Sequence, residues 1–270
     1  MANLTFPAAP RSWWQYLHPA NVPRALRGWV LPLALLLAWW ALFASGRITN
    51  PLFVAPGKVL ATAWQLSSTG ELWQALGASL LRDLAGFALG TLAGVALGTV
   101  LGLSRLLENL IAPTFHAFKQ VSIFAWVPLI SLWFGLGDPA KIAFIALAAF
   151  WPSFLNTFEG VRGVSRELVE VARVFAYNRL QLVWRVVLPA ALPSVFSGIY
   201  LSLIFAWLAT LGAEYLLTSG RGIGNLLTDG QEHFLMDYVV LGVLVVGLVG
   251  YGFAVVASRI EQHLLRWQRR

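Results

Sequence analysis

Cysteine is absent from the 270 residues, which excludes disulfides, thiol catalysis and cysteine-ligated metals and leaves the redox compartment open. Charge is also scarce: Asp, Glu, Lys and Arg make up 11% of the chain, where soluble domains carry about 25%. Histidine occurs four times. His18 and His263 lie towards the ends and His233 in a predicted outer loop, so only His116 falls within an apolar stretch. A single interior histidine supports neither a metal site nor a Ser-His pair, and it reads as a satisfied interior side chain. HExxH is missing, as is GxxxxGK followed by Ser or Thr. The nearest approach, GLGDPAK at 135–141, has its lysine misplaced and a proline where the loop should curl. The chain therefore has no phosphate-cradling loop with which to hydrolyse ATP, and no metal or cofactor site of its own is expected.

Apolar residues fill the space these absences leave. The chain is 58% hydrophobic with a mean hydropathy of +0.70, the signature of an integral membrane protein. Its net charge of +7 sits in gaps between apolar stretches; nucleic-acid binders instead cluster such charge on a soluble domain. A spanning helix needs about 20 mostly apolar residues, and six windows qualify: 29–46, 80–103, 109–135, 140–158, 194–217 and 237–258. The prediction is all-α, a polytopic membrane bundle of six transmembrane helices over 29–258, with a leader (1–28) and a tail (259–270). The long leader makes the first window a retained anchor rather than a cleaved signal. With the N-terminus inside, thirteen basic residues fall on the inner side: Arg11, Arg24, Arg27, Arg105, Arg162, Arg166, Arg173, Arg179, Arg185, Arg259, Arg266, Arg269 and Arg270. Only Arg47, Lys58, Lys141 and Arg221 fall outside. That asymmetry puts both termini in the cytoplasm.

Several positions within this frame carry expectations. Pro113 and Pro128 predict a bend in the long third window. Residues 47–79, including KVLATAWQL, read as connectors lying along the outer surface. Gly86, Gly90, Gly94, Gly98 and Gly102 recur every four residues along one ridge of the second span, where a second helix backbone can approach closely. Lys119 lies roughly 15 Å into the third window, where a lysine costs about 2.5–3.5 kcal/mol. Two readings stand for it: snorkelling or pairing with a carboxylate, or facing a water-filled path for an anion. Glu214, near the outer end of the fifth span, suits a structural hydrogen bond, a subunit contact or a solute contact. Trp126, Trp133 and Trp207 lie inside spans and either pack or line a cavity. Lys119, Trp126, Trp207 and Glu214 are thus the candidate pathway residues. Arg82 and Asp83 read as ordinary interfacial charges.

The polar stretch 160–190 interrupts the apolar pattern. Ser165 is a good helix N-cap, and Glu167 in the first turn suits the positive helix end, predicting a helix from Arg166 to about Tyr177. Leu168, Val169, Ala172 and Phe175 or Ala176 give it an apolar face. Asn178 is expected to take the left-handed conformation that ends it. A second helix from Arg179 to about Val187 should stop before Pro189, with Pro193 marking the start of the fifth span. The result is a small knob on the inner face.

At these residues the chain resembles the permease subunits of ABC-type importers, whose inner signature runs EAA, three residues, G, nine residues, then I-x-L-P. Glu170, Val171 and Ala172 stand for EAA, and Val187, Leu188 and Pro189 for the close. The signature glycine is replaced by Ala176, which moves the turn to Asn178. Within the family, GELWQALGASLLRDLAGFALG (70–90), AWVPLISLWFGLGDPAKI (125–142), FLNTFEGVRGVSRELVEVAR (154–173), GRGIGNLL (220–227) and the LLRW close look like permeases for nitrate, taurine and aliphatic sulfonates. The resemblance implies the type I ABC importer permease fold in a bacterial inner membrane. It implies a homodimer, two cytoplasmic ATPase subunits that use ATP and Mg, and a periplasmic or lipid-anchored solute-binding protein. It also assigns ATPase coupling to the stretch from Ser165 to Leu188 and Pro189, with Leu168, Val169, Ala172, Arg173 and Ala176 in the knob and Glu170 at the contact. The implied cargo is a small anion, a sulfonate or taurine ahead of nitrate, bicarbonate or a vitamin precursor. An ion-driven transporter is the competing class, and would be expected to show more intramembrane carboxylates.

Overall fold

The computed structural model describes residues 24–46, 52–104, 117–118, 120–217 and 219–264. Lys119, His116 and Pro113 lie outside them. Among the described residues every regular element is helical: α1 (Arg24–Ala44), α2 (Pro56–Ser68), α3 (Glu71–Leu103), a 3-10 turn (Ile123–Trp126), α4 (Val127–Phe134) and α5 (Asp138–Arg162). There follow α6 (Arg166–Val174), α7 (Arg179–Leu182), a π turn (Val183–Val187), α8 (Leu188–Leu216), α9 (Ile223–Glu232) and α10 (Met236–Leu264). In lipid every backbone polar group must be satisfied within the protein, which a helix does inside one segment. Among the described residues four helical stretches are long and apolar enough to cross a membrane: 71–103, 138–162, 179–216 and 236–263. Two shorter apolar helices, Val30–Ala44 and Ile123–Phe134, lie on the first and third predicted windows.

The chain divides into two compact units, residues 1–58 and 59–270. In the first, the Trp39 indole N–H donates to the carbonyl of Val54 at 3.1 Å, tying the chain after α1 back onto that helix. The second is built on α5, which packs against α3 on one side and α8 on the other. The five-residue glycine ridge of α3 faces α5. A Cβ at Gly86 would lie 2.6 Å from Ile145, one at Gly98 2.7 Å from the Phe154 carbonyl and one at Gly102 2.9 Å from Val161. At Gly90 and Gly94 it would run into the Ala146 carbonyl and Ser153 Oγ. The α5–α8 seam is made from small residues too: Ala148 and Ala149 meet Ala206, Ala209 and Ala213 around Phe144 and Ile145. Ser202 Oγ donates across it to the Ala149 carbonyl at 2.6 Å. Close backbones and cross-helix hydrogen bonds hold such bundles together, because lipid tails are as apolar as the side chains they would replace.

The amphipathic stretch 56–68 forms α2, which turns Val59, Thr62 and Leu66 inward, with Thr62 Oγ1 donating to Asp237 of α10 at 2.6 Å, and leaves Leu60 and Trp64 exposed. Two expectations change here. The next helix, α3, begins at Glu71 after Gly70 (φ 81°), well before residue 80. Pro128 does not kink a longer helix; it occupies the first turn of α4, where its missing N–H has no intrahelical partner to lose.

Candidate functional site

The knob is built by local capping. Ser165 (φ −60°, ψ 140°) accepts at Oγ from the Leu168 amide at 3.4 Å and starts α6. The helix ends at Phe175, after which the Tyr177 amide donates to the Ala172 carbonyl (3.1 Å) and the Ala176 amide to that of Arg173 (2.9 Å). This is the Schellman pattern, and its left-handed position is Ala176 itself, at φ 52°. The turn therefore stays where the signature glycine would put it. Asn178 is not left-handed: at φ −71° and ψ 167° it caps α7, with reciprocal bonds to Gln181 of 2.8 and 3.0 Å. An Asn side chain that can accept from the third amide of a following helix is held by that cap, so the left-handed step falls two residues earlier. The second knob helix also does not stop before Pro189. The π turn at Val183–Val187 carries it into α8, giving one helical path from Arg179 to Leu216. Wider hydrogen-bond rings at a π turn admit Pro189 at the first turn of α8.

Burial sorts the apolar residues of α6 into two groups. Ala172 is buried and Val169 half-buried, whereas Leu168 and Phe175 face outward together with Val171 and Val174. Leu180 and Trp184, in the second half of the knob, are exposed as well. Steps of three and four from Leu168 through Val171 to Phe175 mark that face in the sequence. Glu170 and Arg173 are exposed and line a cleft of about 950 Å³ with Arg162, Arg166, Val169 and Val187. Leu188 and Pro189 are half-buried where the π turn joins α8. Arg185 stacks over the Tyr177 ring at 5.8 Å, fixing the second half of the knob on the first.

A second constellation lies at the far end of α8. Arg82 is 4% exposed and Asp83 fully buried, so neither is an ordinary interfacial charge. Arg82 bonds Asp138 of α5 through Nε (2.7 Å), and Glu214 of α8 (2.7 Å) and the Arg221 carbonyl (2.7 Å) through Nη1. The buried Glu214 also accepts from Ser79 of α3 (2.8 and 2.9 Å) and from the Gly224 amide (2.8 Å). Ser79 in turn accepts from the Ile223 amide at 2.9 Å. Buried Lys141 donates to the Ser219 carbonyl at 2.5 Å, and Ser219 Oγ donates to that of Leu136. Asp83 takes a 3.0 Å bond from Thr210. The physical reason for this inward turn is that isolated charges in an apolar span are too costly, while a carboxylate held by a hydroxyl, an amide and a guanidinium is not. Ser79, Asp138, Lys141 and Ser219 escaped the sequence reading. No local signal marks them, for they lie in or beside 70–90, 125–142 and 220–227, separate stretches that meet only in the fold.

Of the candidate pathway residues, Lys119 lies outside the described residues. Trp126 is half-buried and stacks on Phe118 at 5.8 Å. Trp207 is buried, donating from its indole N–H to the Val246 carbonyl of α10 (3.1 Å), with Phe253 edge-on at 5.5 Å. Glu214 belongs to the cluster just described. Among the described residues no group of three or more His, Cys, Asp or Glu could hold a metal ion.

Helices long and apolar enough to span a membrane several times, joined to a separately capped knob, make this a multi-pass helical membrane protein. The profile of one family, described as the binding-protein-dependent transport system inner membrane component, matches residues 86–270. The chain belongs to this family and is a permease of the ABC transporter type. It is 38% identical over 239 residues to the putative aliphatic sulfonates transport permease protein SsuC of Escherichia coli (strain K12), covering 88% of this chain and 90% of that one. It is 31% identical over 241 residues to the taurine transport system permease protein TauC of the same strain, covering 87% of each. A solved chain of the MetNI methionine ABC transporter, in an inward-facing conformation, matches with a TM-score of 0.61 over 71% of this chain and 95% of that chain. At 16% identity, that likeness shows the fold.

Proposed function

We propose that this permease imports a small organic anion, an aliphatic sulfonate or taurine, across the inner membrane using ATP hydrolysed with Mg on partner subunits. One observation carries the reading: α6 is capped at both ends yet leaves Leu168, Val171, Val174 and Phe175 uncovered, in a chain whose sequence has no phosphate loop of its own. Exposed apolar side chains on a rigid, polar-rimmed helix are what a docking partner covers. Two copies of the chain form the pathway, and each knob from Ser165 to Pro189 receives one ATPase, with Glu170 and Arg173 at the rim. A solute-binding protein delivers cargo on the opposite side. Residues 29–258 form the permease domain, and 1–28 and 259–270 are cytoplasmic. The sulfonate assignment follows the names of the relatives, and Lys119 suits an anion on the path.

Reconstitution tests this. The permease and the ATPase encoded beside it should co-purify, and vesicles containing both, with the solute-binding protein, should take up labelled taurine or ethanesulfonate in competition with each other but not with nitrate. Nitrate or bicarbonate uptake would replace the cargo and keep the machine. A solubilised chain that never retains an ATPase, with uptake driven by an ion gradient, would overturn the importer. Lys119→Met with normal assembly and unaltered uptake would remove that lysine from the pathway.

A further inference from the structure

The cluster around Glu214 and the knob stand at opposite ends of a single helical path of 38 residues, Arg179–Leu216, about 57 Å at 1.5 Å per residue. At one end the path abuts the Schellman turn that closes α6. At the other, Glu214 sits in the last turn of α8, and its carboxylate holds the first turn of α9 through the Gly224 amide. The link between α8 and α9 is gripped at three more points, by Arg82 on the Arg221 carbonyl, Ser79 on the Ile223 amide and Lys141 on the Ser219 carbonyl. Gly222, in extended backbone (φ 179°), lies flat against the Glu214 carboxylate, and a Cβ there would collide with it. One at Gly224 would come within 2.6 Å of Glu214 Cβ. The contact is specific in shape as well as charge, and it locks the helix running to the knob onto the helix that follows it after the link 217–222.

We infer that Glu214 is a positioning residue for transport: it couples displacement of the α7–α8 path, pushed at the knob, to α9 on the opposite face. The inference rests on the importer reading above. A packed contact with one tight geometry transmits a shift as a rigid body, whereas a loop of free backbone would absorb it. Because α9 is held by Glu214 of α8 at the Gly224 amide and by Ser79 of α3 at the Ile223 amide at once, movement of α8 relative to α3 must either carry α9 along or break the Ser79 contacts and the Arg82–Glu214 pair.

Because the chain has no cysteine, two introduced thiols are the permease's only labelling sites, and labelling it before a partner ATPase is added keeps the partner's thiols out of the signal. Labels at Leu81→Cys on α3 and Glu232→Cys on α9, both exposed, report the α3–α9 distance in the full permease–ATPase complex in lipid nanodiscs, before and after trapping with ATP and vanadate. The wild-type complex should show a shift on trapping. Glu214→Gln, which keeps the shape but removes the charge pair, and Gly222→Ala, which displaces the carboxylate, should each lose at least half of that shift. Basal ATP hydrolysis should stay within twofold and ATPase retention should be unchanged. A wild-type-sized shift in both variants would overturn the inference. So would loss of ATPase retention or of the folded permease in both, which would make the cluster a staple of the fold alone. A wild-type permease that retains no ATPase is a different failure, that of the importer reading.

Discussion

At the knob, Ser165, Ala176 and Asn178 close their hydrogen bonds within a few residues along the chain; at the other end of α8, Arg82 and Ser79 close theirs across separations of 56 to 144 residues. The knob leaves its apolar face open, whereas the cluster hides five charged or hydroxyl side chains, Ser79, Arg82, Asp83, Lys141 and Glu214. A segment meant to meet a partner must hold its own shape without help from the core, so it relies on caps. A segment that fixes helices within the bundle must do the reverse, spending its polar groups on other helices.

The sharpest way to break this comparison is Arg82→Leu. It leaves Glu214 buried without its cation, and removing one partner of such a pair costs about 3–5 kcal/mol. Most of the folded permease should be lost in a heated size-exclusion assay, while Glu170→Leu on the exposed knob should stay within about 0.5 kcal/mol of wild type. Gly90→Val comes next: its side chain meets the Ala146 carbonyl on α5, and overpacking of this kind costs about 1–3 kcal/mol, read as a lower midpoint in the same assay. Ala176→Gly should stabilise the knob by about 1 kcal/mol, since an L-residue in the left-handed region costs roughly 1–2 kcal/mol and glycine returns part of that in backbone entropy. Slower amide exchange at Tyr177 and Ala176, with no change in the cluster, would check it. Phe175→Ser should have the smallest effect on folding, under about 0.5 kcal/mol, yet it should weaken ATPase retention in pull-down. If retention survives Phe175→Ser and a further Val171→Ser, the open face is not the docking surface.

The knob was largely legible in sequence because its rules are local. Ser165 as a cap and Glu167 in the first turn follow from chemistry within one turn of helix. The errors there came from competition between neighbours: Asn178 satisfies the rules for both a left-handed stop and an N-cap, and the amide of Gln181 decides for the cap. Which of Leu168, Val169, Ala172 and Phe175 face out depends on the π turn that packs beneath α6. The cluster was hardly legible. Arg82 and Asp83 near a predicted span end have the same pattern whether they face headgroups or turn inward, and only the approach of Asp138, Thr210 and Glu214 from other helices separates the two. Ser79 and Lys141 gave no sign at all, since a serine in an apolar helix and a lysine near a helix start are common.

Taken alone, the chain's composition, apolar windows, glycine ridge and 165–189 signature determined a helical membrane permease with a locally capped knob, because length, periodicity and capping act over a few turns and survive in any arrangement of the helices. Competition between neighbouring caps set the turn at Ala176 and a π turn joined α7 to α8, while tertiary structure decided that Ser79, Arg82, Asp138 and Glu214 meet. That last outcome hinges on which helices come within 3 Å of one another, and hydrogen bonds between residues more than 50 positions apart leave no period in the sequence.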